Sequence, residues 1–269
     1  MKMTFNPSNE LSDIVEYYWV IRHSPKELVK FGGLVLPSGS INLVFNLGAV
    51  HDLINVNSNC SNATVKNEPL LLGQKKTAVK ISNAVNDIHL LGVRFFPNKL
   101  YRLTNIPMYK ITELGVGIDQ VLKRDVAKTE GILPSETTIQ EKLVHIEHFL
   151  KMNLIPSKLP SSSNLEIDYA INSIKEKKGN LKIYELQKSM KMSRRALQYK
   201  FLDRVGVLPK EFARIVRINY VVELISKSTM SLTQIAHQAN YSDQAHFIKE
   251  FKFFTKTTPR TFLCNNRCV

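Results

Sequence analysis

No run of about 18 consecutive apolar residues occurs in this 269-residue chain, so no segment reads as a membrane-spanning helix. The opening stretch Met1-Lys2-Met3-Thr4-Phe5-Asn6-Pro7 lacks an apolar signal core, which predicts a cytoplasmic protein. Cysteine is scarce and odd in number: Cys60, Cys264 and Cys268. In a chain without a secretion signal this argues for reduced thiols rather than a disulfide framework. Cys264 and Cys268 stand close together, but no neighbouring His or Cys completes a tetrahedral zinc site. Catalytic punctuation is missing as well, with no Gly-rich phosphate loop, no Gly-x-Ser-x-Gly elbow and no His-Glu-x-x-His. His145 and His148 lie at i and i+3 on an expected helix with Glu147 between them. The remaining ligands of a metal site are absent, so the spacing reads as a hydrated helix face. The residues therefore predict a protein that is not an enzyme and has no metal and no cofactor.

Acidic residues are also in short supply, with 23 Asp and Glu against 37 Lys and Arg, for a net charge of +14. The excess is unevenly spread. Residues 164–269 carry 19 basic against 9 acidic side chains, while residues 1–163 carry 18 against 14. A basic surplus concentrated in the smaller half predicts a polyanionic partner, either nucleic acid or an anionic membrane.

The N-terminal part reads as strands first and helices afterwards. Apolar, β-branched stretches cover 14–21, 33–36, 41–47, 78–81 and 88–96. Turn chemistry separates them at Pro37-Ser38-Gly39, at Asn57-Ser58-Asn59 and between Asn83 and Asp87. In 88–96 both faces are largely apolar: His89, Leu91, Val93 and Phe95 point one way, and Leu90, Gly92, Arg94 and Phe96 the other. That strand is expected inside its domain. Helical periodicity follows over 99–105 and 117–128, and Thr138-Ile139-Gln140-Glu141 is a capping box opening a helix over 138–152. The segment 155–163, with two prolines, four serines and no periodicity, reads as a linker. The expected fold class is α+β. A β-rich effector-binding or dimerisation domain with trailing helices spans 1–154, and an all-α domain spans 164–269. The latter opens with a capping box at Ser163-Asn164-Leu165-Glu166.

The all-α segment carries one pattern twice, near 183–205 and near 231–254. The first copy runs Glu185-Leu186-Gln187-Lys188-Ser189-Met190-Lys191-Met192-Ser193, then a helix with Leu197 and Phe201 on its inner face. The second runs Gln234-Ile235-Ala236-His237-Gln238-Ala239-Asn240-Tyr241-Ser242, then a helix with Phe247 and Phe251 facing in. A short helix, a tight turn and a second helix with apolar residues at four-residue spacing describe a helix-turn-helix. The outward faces then carry the candidates for DNA contact. Arg195, Gln198 and Tyr199 project from the first unit, and Gln244, Ala245, Ile248 and Lys249 from the second. Arg and Gln suit guanine and adenine edges, while Ala245 and Ile248 could touch a thymine methyl. Arg194, Lys200, Lys252 and Arg260 are assigned to phosphates. Between the units a long helix begins at Pro209, with Lys210, Arg214 and Arg217 sharing one face.

Tyr241-Ser242-Asp243-Gln244-Ala245-His246-Phe247-Ile248-Lys249-Glu250-Phe251-Lys252, followed by Thr257-Thr258-Pro259-Arg260-Thr261-Phe262, closely resembles the signature of AraC/XylS-type transcription regulators. Met192 to Phe201, then Gly206-Val207-Leu208-Pro209-Lys210-Glu211-Phe212, resembles that family's first unit and the start of its linking helix. The resemblance covers 164–264. It implies a seven-helix domain whose two recognition helices enter successive major grooves one turn, about 34 Å, apart. Three departures stand out. Gln187 replaces a small residue that Ala236 retains, and Lys191 and Asn240 replace a turn glycine. Lys256 occupies another usual glycine position. Cys60, lying among Asn59, Ser61 and Asn62, has no activating base, which sets aside the alkyl-transfer chemistry of some relatives.

Tyr18-Trp19, Pro37 to Asn46 and Gly92-Val93-Arg94-Phe95-Phe96-Pro97 resemble the β-rich sensor half carried by a subset of these regulators. The polar residues inside its strands, Asn42, Asn46, His89 and Arg94, are the candidates for ligand contact, set against the reading that they are satisfied core or edge groups. The resemblance implies double-stranded DNA as partner, admits a small-molecule effector, RNA polymerase and a homodimer, and leans towards an activator. The competing reading is a basic interaction or membrane-surface protein, which requires a helix with a solvent-exposed apolar face opposite a basic one.

Overall fold

The computed structural model describes residues 2–30, 33–55, 61–66, 68–82, 84, 86–122, 133–134, 136–153 and 165–267. The expected linker at 155–163, Ser163 of the capping box, the turn at 57–59, Asn83, the end of the 117–128 helix, and Cys60 and Cys268 lie outside these residues.

The N-terminal half contains β1 (Lys2–Phe5), β2 (Val15–His23), α1 (Pro25–Lys30), β3 (Leu34–Val35), β4 (Asn42–Asn46), β5 (His51–Asn55), β6 (Ser61–Val65), β7 (Leu70–Leu72), β8 (Val79–Ser82), β9 (Ile88–Phe95), α2 (Lys99–Thr104), β10 (Gly115–Gly117), α3 (Ile118–Leu122) and α4 (Ile139–Asn153). The strands form a six-stranded antiparallel sheet in the order β1-β2-β9-β4-β7-β10 and a four-stranded one in the order β3-β8-β5-β6. β9 lies between β2 and β4, as its two apolar faces require. On one face Leu91, Val93 and Phe95 join Leu43 and Phe45 of β4 and Ile146, Phe149 and Leu150 of α4 in the main core. On the other, Ile88 and Leu90 meet Val44 and the second sheet's Leu53, Val65 and Val79. Gly117, expected to open a helix, instead ends β10, an edge strand paired with β7. Helix α3 starts one residue later.

The C-terminal half holds seven helices among the described residues: α5 (Leu165–Glu176), α6 (Ile183–Ser189), α7 (Arg194–Arg204), α8 (Pro209–Lys227), α9 (Leu232–Gln238), α10 (Gln244–Thr255) and α11 (Pro259–Arg267). α6-α7 and α9-α10 are the two helix-turn-helix units. Their caps match the sequence chemistry. The Ser193 hydroxyl accepts from the Ala196 N–H, Asp243 accepts from the His246 N–H, and Ser231 and Gln234 close a reciprocal capping box. Each turn closes alike, with the Met192 N–H on the Gln187 carbonyl at 3.0 Å and the Tyr241 N–H on the Ala236 carbonyl at 3.0 Å. Lys191 and Asn240 sit there with φ of 49° and 55°, and Lys256 ends α10 with φ of 58°.

The halves meet along a polar seam. Asp168 of α5 takes the Asn98 amide at 2.7 Å and pairs with Lys99 and Arg102 of α2. Lys76 pairs with Glu211 at 3.1 Å, Thr112 donates to the Gly206 carbonyl at 2.6 Å, and the Ala78 N–H reaches the Phe254 carbonyl at 3.3 Å. The loop before β4 packs on α8, where Asn219 donates to the Pro37 carbonyl at 3.0 Å. Gly39 sits there at φ 73°, and a Cβ on it would lie 3.3 Å from the Phe212 ring.

Candidate nucleic-acid interface and the cavity behind it

The two recognition helices are α7 and α10, and their inward residues are spent on separate cores. Leu197 and Phe201 of α7 pack with α5, α6, Phe212 and Ala213. Phe247, Phe251 and Phe254 of α10 pack with α9 and Ile215, Ile218, Val221 and Ile225. What remains outward is polar. Arg194, Arg195, Gln244, Ala245, Lys249, Lys252 and Arg260 are exposed, and Tyr199 is 68% exposed. Gln198 and Ile248 are half-buried, and Ile248 leans on the second core. Lys200, assigned to a phosphate from sequence, is ion-paired with Glu166 of α5 and must exchange that partner to serve DNA. Because the apolar faces of α5, α8 and α10 lie inside the two cores, these helices do not offer the apolar stripe that lipid-surface binding needs.

One acid had been passed over by the sequence reading. Glu250 of α10 is buried, with its side chain 4% exposed, and is held by Arg214 Nε at 2.6 Å and an Arg217 terminal nitrogen at 2.7 Å. Burial alone would raise its pKa, but the bond from Arg214 and the charge of Arg217 outweigh it and hold the carboxyl below its ordinary value. The guanidinium of Arg214 lies over the Phe253 and Phe254 rings, and that of Arg217 lies 4.6 Å from the Tyr241 ring centre.

In the N-terminal half, the two sheets enclose a cavity of about 390 Å³ with a mainly apolar lining that includes Trp19, Val44, Leu53, Leu72, Ile81 and Leu90. Of the four ligand candidates, Asn42 and Arg94 line it. Asn42 accepts from the Trp19 indole N–H at 3.2 Å. Asn46 and His89 do not line it. Asn46 is satisfied locally by the Ala49 carbonyl and the Gly48 N–H, and the His89 pKa is lowered by burial and by the charges of Arg22 and Lys142. Two cavity residues were missed. Burial pulls Lys75 down to about 8, and its ammonium reaches only the Leu114 carbonyl, at 3.2 Å, among the bonds described. His51 is 1% exposed and its pKa is lowered by burial. Its Nδ1 lies 3.0 Å from the Ala49 carbonyl, which can only accept, so the neutral ring presents Nε2 as an acceptor, and that atom has no partner among the described residues.

The cavity wall is also the seam's wall. Glu16, the extra residue of a bulge where β2 shifts register against β9, pairs with Arg94 Nε at 3.2 Å and Lys175 of α5 at 3.5 Å. Arg94 also donates to the Ser38 carbonyl at 2.9 Å, in the loop that rests on α8.

Residues 186–264 match the family described as a helix-turn-helix domain, and residues 3–116 match a domain of unknown function, DUF6597. No curated protein matches the chain. Among solved structures, ToxT from Vibrio cholerae aligns with a TM-score of 0.50 at 15% identity, over 93% of this chain and 98% of its own. ToxT of strain O395 bound to (E)-4-(8-methylnaphthalen-1-yl)but-3-enoic acid aligns with a TM-score of 0.50 at 16% identity, over 98% of each chain. The likeness extends through both halves and establishes a shared fold. Together with the paired helix-turn-helix units, the match over 186–264 places an AraC-type helix-turn-helix domain behind a β-rich N-terminal region in this chain.

Proposed function

We propose that the protein is a cytoplasmic, sequence-specific transcription regulator that reads two successive major grooves with α7 and α10, under the control of a small apolar acid held in the N-terminal cavity. The observation that carries the DNA part is the pairing itself: two capped recognition helices on one chain, each with its aromatic side buried and its basic or amide side outward. Arg194, Arg195, Gln198, Tyr199 and Lys200 of α7, Gln244, Ala245, Ile248, Lys249 and Lys252 of α10, and Arg260 of α11 form the proposed surface. Selection of bound duplexes from a random pool at physiological salt is the test. Enrichment of two half-sites about one helical turn apart supports the reading. Salt-sensitive bulk binding without enrichment counts against it.

The effector class follows from the cavity's chemistry. Its size suits a small ligand, its lining is mainly apolar, and its polar groups include the cations Lys2, Lys75 and Arg94 and an unpartnered acceptor on His51. An aliphatic or aryl chain ending in a carboxylate matches the size, the lining and the cations, whereas the His51 acceptor calls for a donor such as a hydroxyl. ToxT, which shares the fold, has been crystallised with an aryl-butenoic acid. Calorimetric titration with such an acid, on wild type and on Lys75→Met, is the check; equal binding to both would remove Lys75 from the site. The seam beside the cavity gives the ligand a route to the DNA-binding half, and a second copy of the chain and RNA polymerase are partners the reading accommodates.

A further inference from the structure

We infer that Glu250 is a positioning residue that sets the orientation of the second recognition helix. The two helix-turn-helix units have separate cores, and α8 belongs to both. Phe212 and Ala213 lie in the first core, and Ile215, Ile218, Val221 and Ile225 in the second. The changeover falls over residues 213–216, where Ile215 lies in the second core while Val216 still packs on the first. No shared apolar core therefore ties α10 to the first unit. Its own seat on α8 is made of Phe247, Phe251 and Phe254, and apolar contact of this kind resists separation but has little directional preference. A helix so seated can roll.

The Glu250 clamp opposes that roll. Its two carboxylate oxygens are bound by different arginines, Arg214 at the changeover and Arg217 one turn later, at 2.6 and 2.7 Å. Charge-assisted bonds of this length are directional. Both arginines line a cleft between the units together with Leu181, Lys210 and Lys249. Each also lies over an aromatic ring of the second unit, Phe253 in α10 and Tyr241 just before it, which adds a second contact between these arginines and that unit. Glu250 points away from the exposed edge formed by Gln244, Ala245 and Lys249 and therefore reads no base itself. Fixing the roll of α10 decides which of those side chains faces the groove. A further direct link between the units, the Asn240 amide to Asn180, is exposed and is a weaker restraint.

This inference rests on the reading that α10 enters a major groove, and its test separates the two. In the full chain, Glu250→Gln leaves two guanidiniums facing a neutral amide. With base substitutions scanned through a selected duplex, wild type should lose at least tenfold affinity at the key positions of each half-site. Glu250→Gln should reduce that discrimination to below about threefold at the half-site read by α10 and leave the other unchanged. Equal loss at both half-sites would mark a merely structural role and overturn the proposal.

The second readout needs no DNA. Spin labels at Tyr199→Cys and Ala245→Cys, in a chain with Cys60, Cys264 and Cys268 replaced by serine, report the distance between the recognition helices. A narrow distribution in the parent that broadens with Glu250→Gln supports the clamp. An unchanged distribution overturns it, whether or not the duplex scan finds sequence preference. Should Glu250→Gln fail to fold, Arg214→Lys, which keeps the charge but loses the Nε donor, carries both measurements with the same expected outcomes.

Discussion

Lys191 and Lys256 hold left-handed backbone conformations in which a Cβ meets the following carbonyl, at a cost of about 1–2 kcal/mol each. The strain is accepted because each position closes a helix C-terminus. Glycine there removes the clash but gives back about 0.5–1 kcal/mol in unfolded-chain entropy. Lys191→Gly and Lys256→Gly are therefore each expected to stabilise the protein by roughly 0.5–1 kcal/mol, read as a higher urea midpoint with an unchanged slope. Asn240→Gly should gain less, because Asn enters this region more easily. A fall in midpoint for either lysine variant would show that its side chain makes a contact worth more than the strain. The outward residues of the first unit make a second prediction at this scale. Arg195→Ala should cost about 1–3 kcal/mol at one base position and relax preference there, while Lys252→Ala should weaken all sequences evenly and flatten the salt dependence. A uniform loss for Arg195→Ala would reassign that side chain to a phosphate. All these positions were legible in the chain because the unit repeats and its inward residues keep helical spacing. Glu250 was passed over, although its position carried the signal. It shares the inner face with Phe247 and Phe254, and a carboxylate there requires a cation such as Arg214 or Arg217.

Among the elements, β2, β3, β4, β8 and β9 fall on stretches expected to be strands, while β1, β5, β6, β7 and β10 do not. β9 and β4 are apolar on both faces because each is covered twice, by α4 on one side and the second sheet on the other, so they stand out in any reading of the sequence. β7 and β10 are only three residues each, and their pairing depends on partners distant in the chain, which no local pattern encodes. Lys75 and His51 escaped notice for the same reason: only the closing of two sheets puts them on one cavity. Gly92 shows how strand register shapes that cavity. It lies opposite Trp19, and a Cβ on it would fall 2.0 Å from the indole. The ring cannot yield towards the backbone and must swing into the space it lines. Gly92→Ala is expected to cost about 1–3 kcal/mol as an overpacking change. It should also abolish acid binding while thermal unfolding stays cooperative. Retained binding would mean that Trp19 relaxes elsewhere and that the cavity is larger than its walls imply.

At the scale of the whole molecule, the cavity and the DNA-binding half share a wall, and charge connects them. Lys75 supplies the first consequence. With its pKa pulled down to about 8 by burial, it is cationic below that pH and loses its charge above it. Acid binding should hold steady below pH 8 and weaken as pH rises through it, a dependence that Lys75→Met should flatten. Stability of the unliganded protein should move the other way. Between pH 8 and the ordinary lysine value of 10.5 the unfolded chain binds the proton that the folded chain has released, so stability rises across that window. Glu16 supplies the second consequence. It is shared between Arg94 on the cavity wall and Lys175 on α5, so a ligand carboxylate that draws Arg94 towards itself must weaken Glu16's hold on that arginine and redistribute the pairing with Lys175. Coupling of this kind is reciprocal: DNA must change acid affinity by the same factor that the acid changes DNA affinity, typically about 5- to 150-fold. Glu16→Gln should tighten acid binding, because Arg94 loses a competing anion, yet shrink the coupling factor towards one, because the link to Lys175 loses its charge. Two titrations decide it: acid with and without operator, and operator with and without acid. If the variant binds acid more tightly and the factor remains at its wild-type value, the signal crosses the seam elsewhere, through the loop carrying Pro37 and Gly39 onto α8.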